Sequence, residues 1–446
     1  MSSKKFYLQT FGCQMNVYDS SRLVALLETE GWKETDDLQS ASMYILNTCS
    51  IREKASEKVF SFLGRLQKEK ERAKKRLKTP IFIGVVGCVA KDQSDNIFKR
   101  APYVDFVLDS QSYHKIFDFL KGPTEKFIKT NLPSLEKFDV LPKIKKTPAS
   151  AQITIQEGCD HNCTYCVVPF TRGREISRPF TDIINEINHV VSLGAKEIVL
   201  LGQNVNGYQF KADNKIYRIY DIIKNIAKNP KVSRVRYVSA HPLEMTDDLI
   251  SLYDGSIKCM LPHLHLPLQA GSNRTLKRMN RGYTKEDYFK IVEKLKIVSP
   301  DIKFSTDLIV GFPGESEEEF LETLEMVKQI NFITSFSFIY SARDHTPALK
   351  LADDIDYSTK LDRLNRLQSA LTKIQTNFNL GQKNTKITVF IEDDAIDKNF
   401  MLGRSIYMQT VLISKTDSLV DTIIIGKIYI VEITRSTPNN LYGKII

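Results

Sequence analysis

Cys159, Cys163 and Cys166 stand close together in the run Glu157-Gly-Cys-Asp-His-Asn-Cys-Thr-Tyr-Cys166. Three thiolates at C-x3-C-x2-C spacing on one loop can hold three irons of a 4Fe–4S cube and leave the fourth iron open to a substrate. Zinc is the competing metal, but a structural zinc site takes four protein ligands. The fourth would be His161, which lies awkwardly between the first two cysteines. Three further cysteines, Cys13, Cys49 and Cys88, are spaced 36 and 39 residues apart. The seventh, Cys259, sits just before a strand candidate and reads as a structural thiol, in keeping with the burial habit of free cysteine. An odd number of cysteines, after a start without an apolar leader core, argues against a disulfide framework. Metal binding or chemistry is the better use for them.

Residues 6–122 alternate short β-rich runs with helical ones. Phe6–Phe11, Met43–Thr48, Ile81–Val86 and Val104–Leu108 are the strand candidates, and Leu23, Leu26 and Leu27 share one helix face between the first two. This alternation predicts an open parallel α/β sheet. Cys13, Cys49 and Cys88 then each fall one or two residues past the end of a strand. Those ends share one edge, where α/β folds collect ligands, so the three thiols can meet. Three unrelated buried cysteines are the alternative.

From Ala151 a second series begins, with strand candidates Gln152–Ile155, Glu197–Leu201, Arg234–Val238, His263–Leu268, Lys303–Val310 and Ile333–Tyr340. Six βα units predict a (βα)6 full or partial barrel, whose functional residues gather at the C-terminal strand ends. That rim would carry the C-x3-C-x2-C loop, together with Gln203, Asn204, Ser239, Gln269 and Arg343. These five could bind cofactor or base, although for any one of them a turn or capping role is the commoner use of such residues at strand ends. Gly311-Phe-Pro-Gly314 lacks the Walker lysine and reads as a tight turn, with Glu315 in the first turn of the next helix. His263 and His265 share one side of a strand and suit barrel-interior packing or hydrogen bonding. Beyond residue 380 the helices stop, and Ile, Val, Tyr and Thr alternate with turn residues, which predicts a small antiparallel β-barrel. The whole reads as an α/β protein: an N-terminal open parallel sheet domain at 1–130, a Pro-containing linker at 131–150, a central (βα)6 partial barrel at 151–380 and the small barrel at 381–446.

The chain has 446 residues, 42% hydrophobic and 26% charged, enough for two to four domains and unlike a disordered chain or a miniprotein. Its longest dense apolar run, Ile81–Ala90, is far short of the roughly 20 residues that span a bilayer, so a soluble cytoplasmic protein without a membrane partner is expected. The net charge of +10 favours an anionic partner, nucleic acid above all. Residues 51–78 hold eleven Lys/Arg against four Asp/Glu, which places +7 of that excess in one stretch. Arg65–Lys78 reads as a basic helix, with Lys70, Lys74 and Lys78 as candidate phosphate contacts or members of a solvated face. No heptad or large apolar patch stands out, which suits a monomer.

The C-x3-C-x2-C loop, with an aromatic before its last cysteine and a βα barrel after it, resembles the radical S-adenosylmethionine superfamily. Gly12-Cys-Gln-Met-Asn-Val-Tyr-Asp-Ser20, Asn47-Thr-Cys-Ser-Ile-Arg-Glu-Lys54, Gly87-Cys-Val-Ala90 and Cys166-Val-Val-Pro-Phe-Thr-Arg-Gly173 resemble the methylthiotransferases, most closely the MiaB type. Leu200–Asn206 and Asp307–Glu315 agree. The final block is similar to a TRAM domain, with Gly403-Arg404-Ser405 where the family has a turn. The resemblance implies two 4Fe–4S clusters and S-adenosyl-L-methionine. Cys159, Cys163 and Cys166 would hold the cluster that binds S-adenosylmethionine and releases a 5′-deoxyadenosyl radical, with Tyr165 near the cofactor's adenine. Cys13, Cys49 and Cys88 would hold the second cluster, which presents the sulfur. The implied substrate is N6-isopentenyladenosine at position 37 in a tRNA anticodon stem-loop, and the implied electron donor is of flavodoxin or ferredoxin type. Sister enzymes acting on threonylcarbamoyl-adenosine tRNA or a ribosomal protein are the alternative, and a non-catalytic iron–sulfur RNA-binding sensor is a third reading.

Overall fold

Apolar runs and amphipathic runs alternate because the central strands, such as Met43–Thr48 and Glu197–Leu201, are buried on both faces and need helices to cover them. The computed structural model describes residues 4–49, 53–77, 81–122, 126–130, 138, 142–419 and 422–446. It divides into two compact units: 1–145 with the returning segments 157–160 and 167–178, and 146–156 with 161–166 and 179–446.

In the first unit six strands form one sheet: β1 (Lys5–Thr10), β2 (Lys33–Glu34), β3 (Met43–Thr48), β4 (Phe82–Gly87), β5 (Phe106–Leu108) and β6 (Phe127–Lys129). Their order is β2-β1-β3-β4-β5-β6, and every pairing is parallel. The edge strands β2 and β6 are two and three residues long and largely exposed, too short for an apolar run to announce them. Helix α1 (Gln14–Thr29) lays Leu23, Leu26 and Leu27 on one face of the sheet, and α2 (Glu53–Leu77) lays Val59, Leu63, Leu66 and Ala73 on the other.

The basic helix is present, but one of its candidate phosphate contacts is not at the surface. Lys70 is 8% exposed, and its Nζ donates to Asp105 Oδ2 at 2.5 Å and to the Tyr103 carbonyl at 3.0 Å. The helix period places it on the sheet side, where a buried ammonium needs such partners. Lys74 is exposed, and Lys78 lies outside the described residues.

The second unit holds six strands in two parallel three-stranded sheets. The first contains Ser150–Thr154, Glu197–Leu201 and Arg234–Tyr237; the second contains His263–His265, Lys303–Val310 and Thr334–Ile339. A parallel bridge between Val235 and Met260 ties the third strand to the run that enters the fourth. After the second strand the chain inserts a hairpin, Gln209–Ala212 against Lys215–Arg218. Its turn residues Asp213 and Asn214 both adopt positive φ (49° and 57°), as a two-residue hairpin turn requires.

The helix after Gly314 starts later than the sequence suggests. Ser316 caps Glu317–Ile330 by accepting from Glu319 N, so Glu315 precedes the helix. It is buried instead, accepting from Gly311 N at 2.7 Å and from Arg363 Nη1 at 3.0 Å. His265 Nδ1 meets Ser305 Oγ at 3.0 Å, a hydrogen-bonding role of the kind expected.

The C-terminal strands close into a five-stranded barrel around Val389, Ile391, Val411, Ile413, Val431 and Leu441. Four of its pairings are antiparallel; Thr410–Ser414 meets Asn440–Ile445 in parallel. Gly403-Arg404-Ser405 ends the strand Phe400–Ser405 rather than forming a turn, and a Cβ on Gly403 would lie 2.5 Å from Val389 Cγ1. Buried Arg234 donates from Nη1 to the carbonyls of Arg404 and Ser405, and Asn379 donates to those of Thr437 and Pro438. Among the described residues no helix is long and apolar enough to cross a membrane.

Candidate metal centres

β1, β3 and β4 are neighbours in the sheet, so the residues after their C-terminal ends converge on one edge. Cys13 is the N-cap residue of α1, three residues past β1, Cys49 follows β3 directly, and Cys88 follows β4 directly as the first residue of Cys88–Asp92. The turns are tight enough to exclude side chains. Gly12 has φ 132°, and a Cβ there would fall 2.6 Å from Cys49 Cβ. Gly87 has φ 97°, and a Cβ would fall 2.5 Å from Asn47 Oδ1. Glycine alone suits both positions. Asn16 and Asn47 brace the edge: Asn16 Nδ2 donates to Asn47 Oδ1, and Asn47 Nδ2 donates to the Asn16 carbonyl and Ser20 Oγ, each at 2.9 Å.

The thiols touch. Cys49 is hydrogen-bonded to both Cys13 and Cys88, which pushes its own ionisation up and theirs down. Cys13 falls to about 6, through the Cys49 hydrogen bond and, against the burial that opposes it, through the Arg172 charge. Arg172 is 2% exposed; its Nε donates to Cys88 Sγ at 3.2 Å, its Nη2 to Asp19 Oδ2 at 3.0 Å and its Nη1 to Glu157 Oε1 at 3.4 Å. Burial works against that guanidinium's charge, and Cys88, Asp19 and Glu157 hold it protonated. A gathered set of sulfur ligands beside a buried cation fits a group that binds thiolates. Among the described residues no three His, Cys, Asp or Glu side chains close on a single metal ion. A cube spreads three thiolates over three irons, so that arrangement is not what it needs.

Within the first unit, Cys159 N donates to the Gly173 carbonyl at 3.2 Å, and Gly158 (φ 75°) packs so closely on Arg174 O that a Cβ would lie 2.0 Å away. In the second unit, Cys166 N donates to the Cys163 carbonyl at 3.0 Å, closing the last turn of the loop. Thr164 anchors this stretch through N to the Met279 carbonyl and Oγ1 to the Arg278 carbonyl. Cys163 Sγ accepts from buried Arg281 Nη1 at 3.2 Å, while Arg281 Nε donates to the Tyr283 hydroxyl. This repeats the sulfur-and-guanidinium pairing seen at Cys88. Burial raises the Tyr165 phenol, with the Arg281 charge opposing.

The His161 ring has partners of its own. Its Nε2 lies 3.4 Å from Glu244 Oε1, and its ring stacks on His241 at 4.0 Å. His241 Nδ1 accepts from Leu243 N, and Asn206 locks its backbone through N–H and carbonyl both. Buried Gln156 Oε1 accepts from Gln203 N and Asn204 N, which holds that rim loop over the first strand. Ser239 and Gln269 are non-glycine residues at φ 63° and 71°, strained conformations of the kind that functional rims retain. At Arg343 the structure records a turn, its carbonyl accepting from Thr346. Asn16, Asn47 and Arg172 lay inside sequence runs that already stood out, whereas Arg281 and Gln156 carried no sequence signal.

Two family models match the chain: Uncharacterized protein family UPF0004 over residues 5–109 and the Radical SAM superfamily over 153–327. The chain is 42% identical to a protein of Rickettsia bellii (strain OSU 85-389) named tRNA-2-methylthio-N(6)-dimethylallyladenosine synthase, over 99% of both chains. It is 42% identical to the protein of that name from Pelagibacter ubique, over 99% of this chain and 98% of that one. Among solved structures it resembles the radical S-adenosylmethionine methyltransferase TsrM from Kitasatospora setae, with tryptophan substrate and a SAM analogue bound. The TM-score is 0.57 at 10% identity, over 83% of this chain and 89% of that one. The cobalamin-dependent S-adenosylmethionine radical enzyme OxsB gives 0.51 at 11% identity, over 83% and 57%. These two likenesses are of fold.

Proposed function

The chain belongs to the family of tRNA-2-methylthio-N(6)-dimethylallyladenosine synthases, and from that premise we propose that it converts N6-isopentenyladenosine at position 37 of tRNA to its 2-methylthio derivative. It is a radical S-adenosylmethionine enzyme, and its cofactors are S-adenosylmethionine and iron–sulfur clusters, two of the 4Fe–4S type in this reading. Cys159, Cys163 and Cys166 hold one, and Cys13, Cys49 and Cys88 hold the other. The observation that carries this reading is that Cys49 reaches both Cys13 and Cys88, with Arg172 donating to Cys88. It supports a second sulfur-ligand site in a chain that already has the C-x3-C-x2-C loop.

The carbon to be modified bears an unreactive C–H bond that no acid, base or nucleophile of the protein can open, so the reactive species must come from the cofactors. When bound, they supply a 5′-deoxyadenosyl radical to abstract hydrogen and a methylated sulfur to replace it. The chain's own residues have the remaining work. Arg281 steadies the Cys163 thiolate, Gln156 shapes the Gln203–Asn204 loop, and Tyr165, Ser239, Gln269 and Arg343 are the rim residues assigned to cofactor or base. A flavodoxin- or ferredoxin-type protein delivers the electron to a monomeric enzyme in the cytoplasm.

Mass spectrometry of tRNA nucleosides from a strain lacking the gene tests the assignment. The 2-methylthio derivative should vanish, its isopentenyl precursor accumulate, and both reverse on complementation. Unchanged 2-methylthio levels, or loss of a threonylcarbamoyl derivative instead, would overturn it.

A further inference from the structure

Arg172 donates to three acceptors from a position closed to solvent, and one of them is a sulfur rather than an oxygen. A carboxylate pair alone would satisfy a guanidinium whose task was to hold the fold. Here Asp19 and Glu157 aim the planar fork, and its Nε–H points at the Cys88 Sγ. Even the backbone is pinned, because Gln111 Nε2 donates to the Arg172 carbonyl.

We propose that Arg172 is a positioning residue that fixes the Cys88 thiolate and raises the reduction potential of the cluster held by Cys13, Cys49 and Cys88. This rests on the two-cluster reading above. One-electron reduction adds a negative charge to the cube and its thiolates. A buried cation touching a ligand sulfur stabilises that reduced form, and water is too distant to screen the effect. Lysine would keep the charge but lose the fork, since an ammonium cannot serve Sγ and two carboxylates in one plane.

The test uses the full chain with Cys159→Ala, Cys163→Ala and Cys166→Ala, reconstituted anaerobically so that only the N-terminal cluster forms. A dithionite titration, in which the cube gains one electron, is followed by electron paramagnetic resonance. Added Arg172→Met should lower the midpoint, Arg172→Lys should stay closer to the parent, and Asp19→Asn should raise it by removing a nearby negative charge. If Arg172→Met takes up no iron, the comparison of Asp19→Asn with Arg172→Lys decides. A purely structural role predicts altered iron content with unmoved midpoints, and that result would overturn the proposal. No iron at all in the parent variant removes the second cluster and this proposal with it. A normal cluster whose midpoint ignores all three substitutions removes only the role of Arg172.

Discussion

A buried histidine that cannot accept a proton becomes a liability in acid. Burial drives His241 down to about 2 and His263 down to about 3, with Arg281 and His161 adding to the first shift and His265 and Arg236 to the second. Both folded values lie below the ordinary 6.5 of the unfolded chain, so the unfolded state binds the extra protons as pH falls. The stability these rings contribute is present above pH 6.5 and is lost progressively below it. Between pH 7.5 and 5.5 each should cost about 1.4 kcal/mol. His241→Asn, which keeps an acceptor for Leu243 N, should remove about half of that combined pH dependence in urea unfolding of the metal-free chain. Equal slopes for variant and parent would refute the burial argument. Both cysteine sets stand out as candidates in the sequence because their signal is local: three lie on one loop, and three follow strand ends. The pairings of two arginines with them do not show there, because Arg172 meets a partner 84 residues away and Arg281 one 118 residues away. Only the fold makes those neighbours.

At the scale of elements, periodicity sorts the cations of one helix onto two faces. The alternation of apolar and polar runs is enough to predict the parallel sheet and the six strands of the second unit's two sheets, because most of those strands centre on buried apolar residues. It missed the edge strands and the Gln209–Arg218 hairpin, whose residues are mostly exposed and carry no apolar period. It also treated α2 as uniformly basic, although Arg65, Lys68 and Lys74 are exposed while Lys70 faces Asp105. Replacing Arg65, Lys68 and Lys74 by Ala should weaken tRNA binding and flatten its salt dependence, each lost phosphate contact removing roughly 0.7–0.9 from the slope. Lys70→Met should leave that slope alone and cost about 1–3 kcal/mol of stability, because Asp105 loses its cation. Filter binding at several salt concentrations, set beside urea unfolding, separates the two. A slope that responds to Lys70 but not to the exposed triple would invert the assignment.

For the whole molecule, the main consequence is that the two cysteine sets sit in different structural settings and should fail separately. One set is built from three strand ends of a single sheet; the other comes from one loop of the chain. Reconstituted protein should hold roughly eight irons per chain, from two four-iron cubes. Changing Cys13, Cys49 and Cys88 together to Ala should leave about half, and Arg281 would still face Cys163 in that variant. Since radical generation needs only the cluster that binds S-adenosylmethionine, this variant should still release 5′-deoxyadenosine while methylthio transfer to tRNA disappears. Changing Cys159, Cys163 and Cys166 should also leave about half the iron but abolish both activities, because no radical forms to activate the base. The asymmetry is the informative part. A first variant that keeps its fold by circular dichroism yet releases no 5′-deoxyadenosine would mean that the strand-end cluster takes part in making the radical, and the division of labour would have to be redrawn.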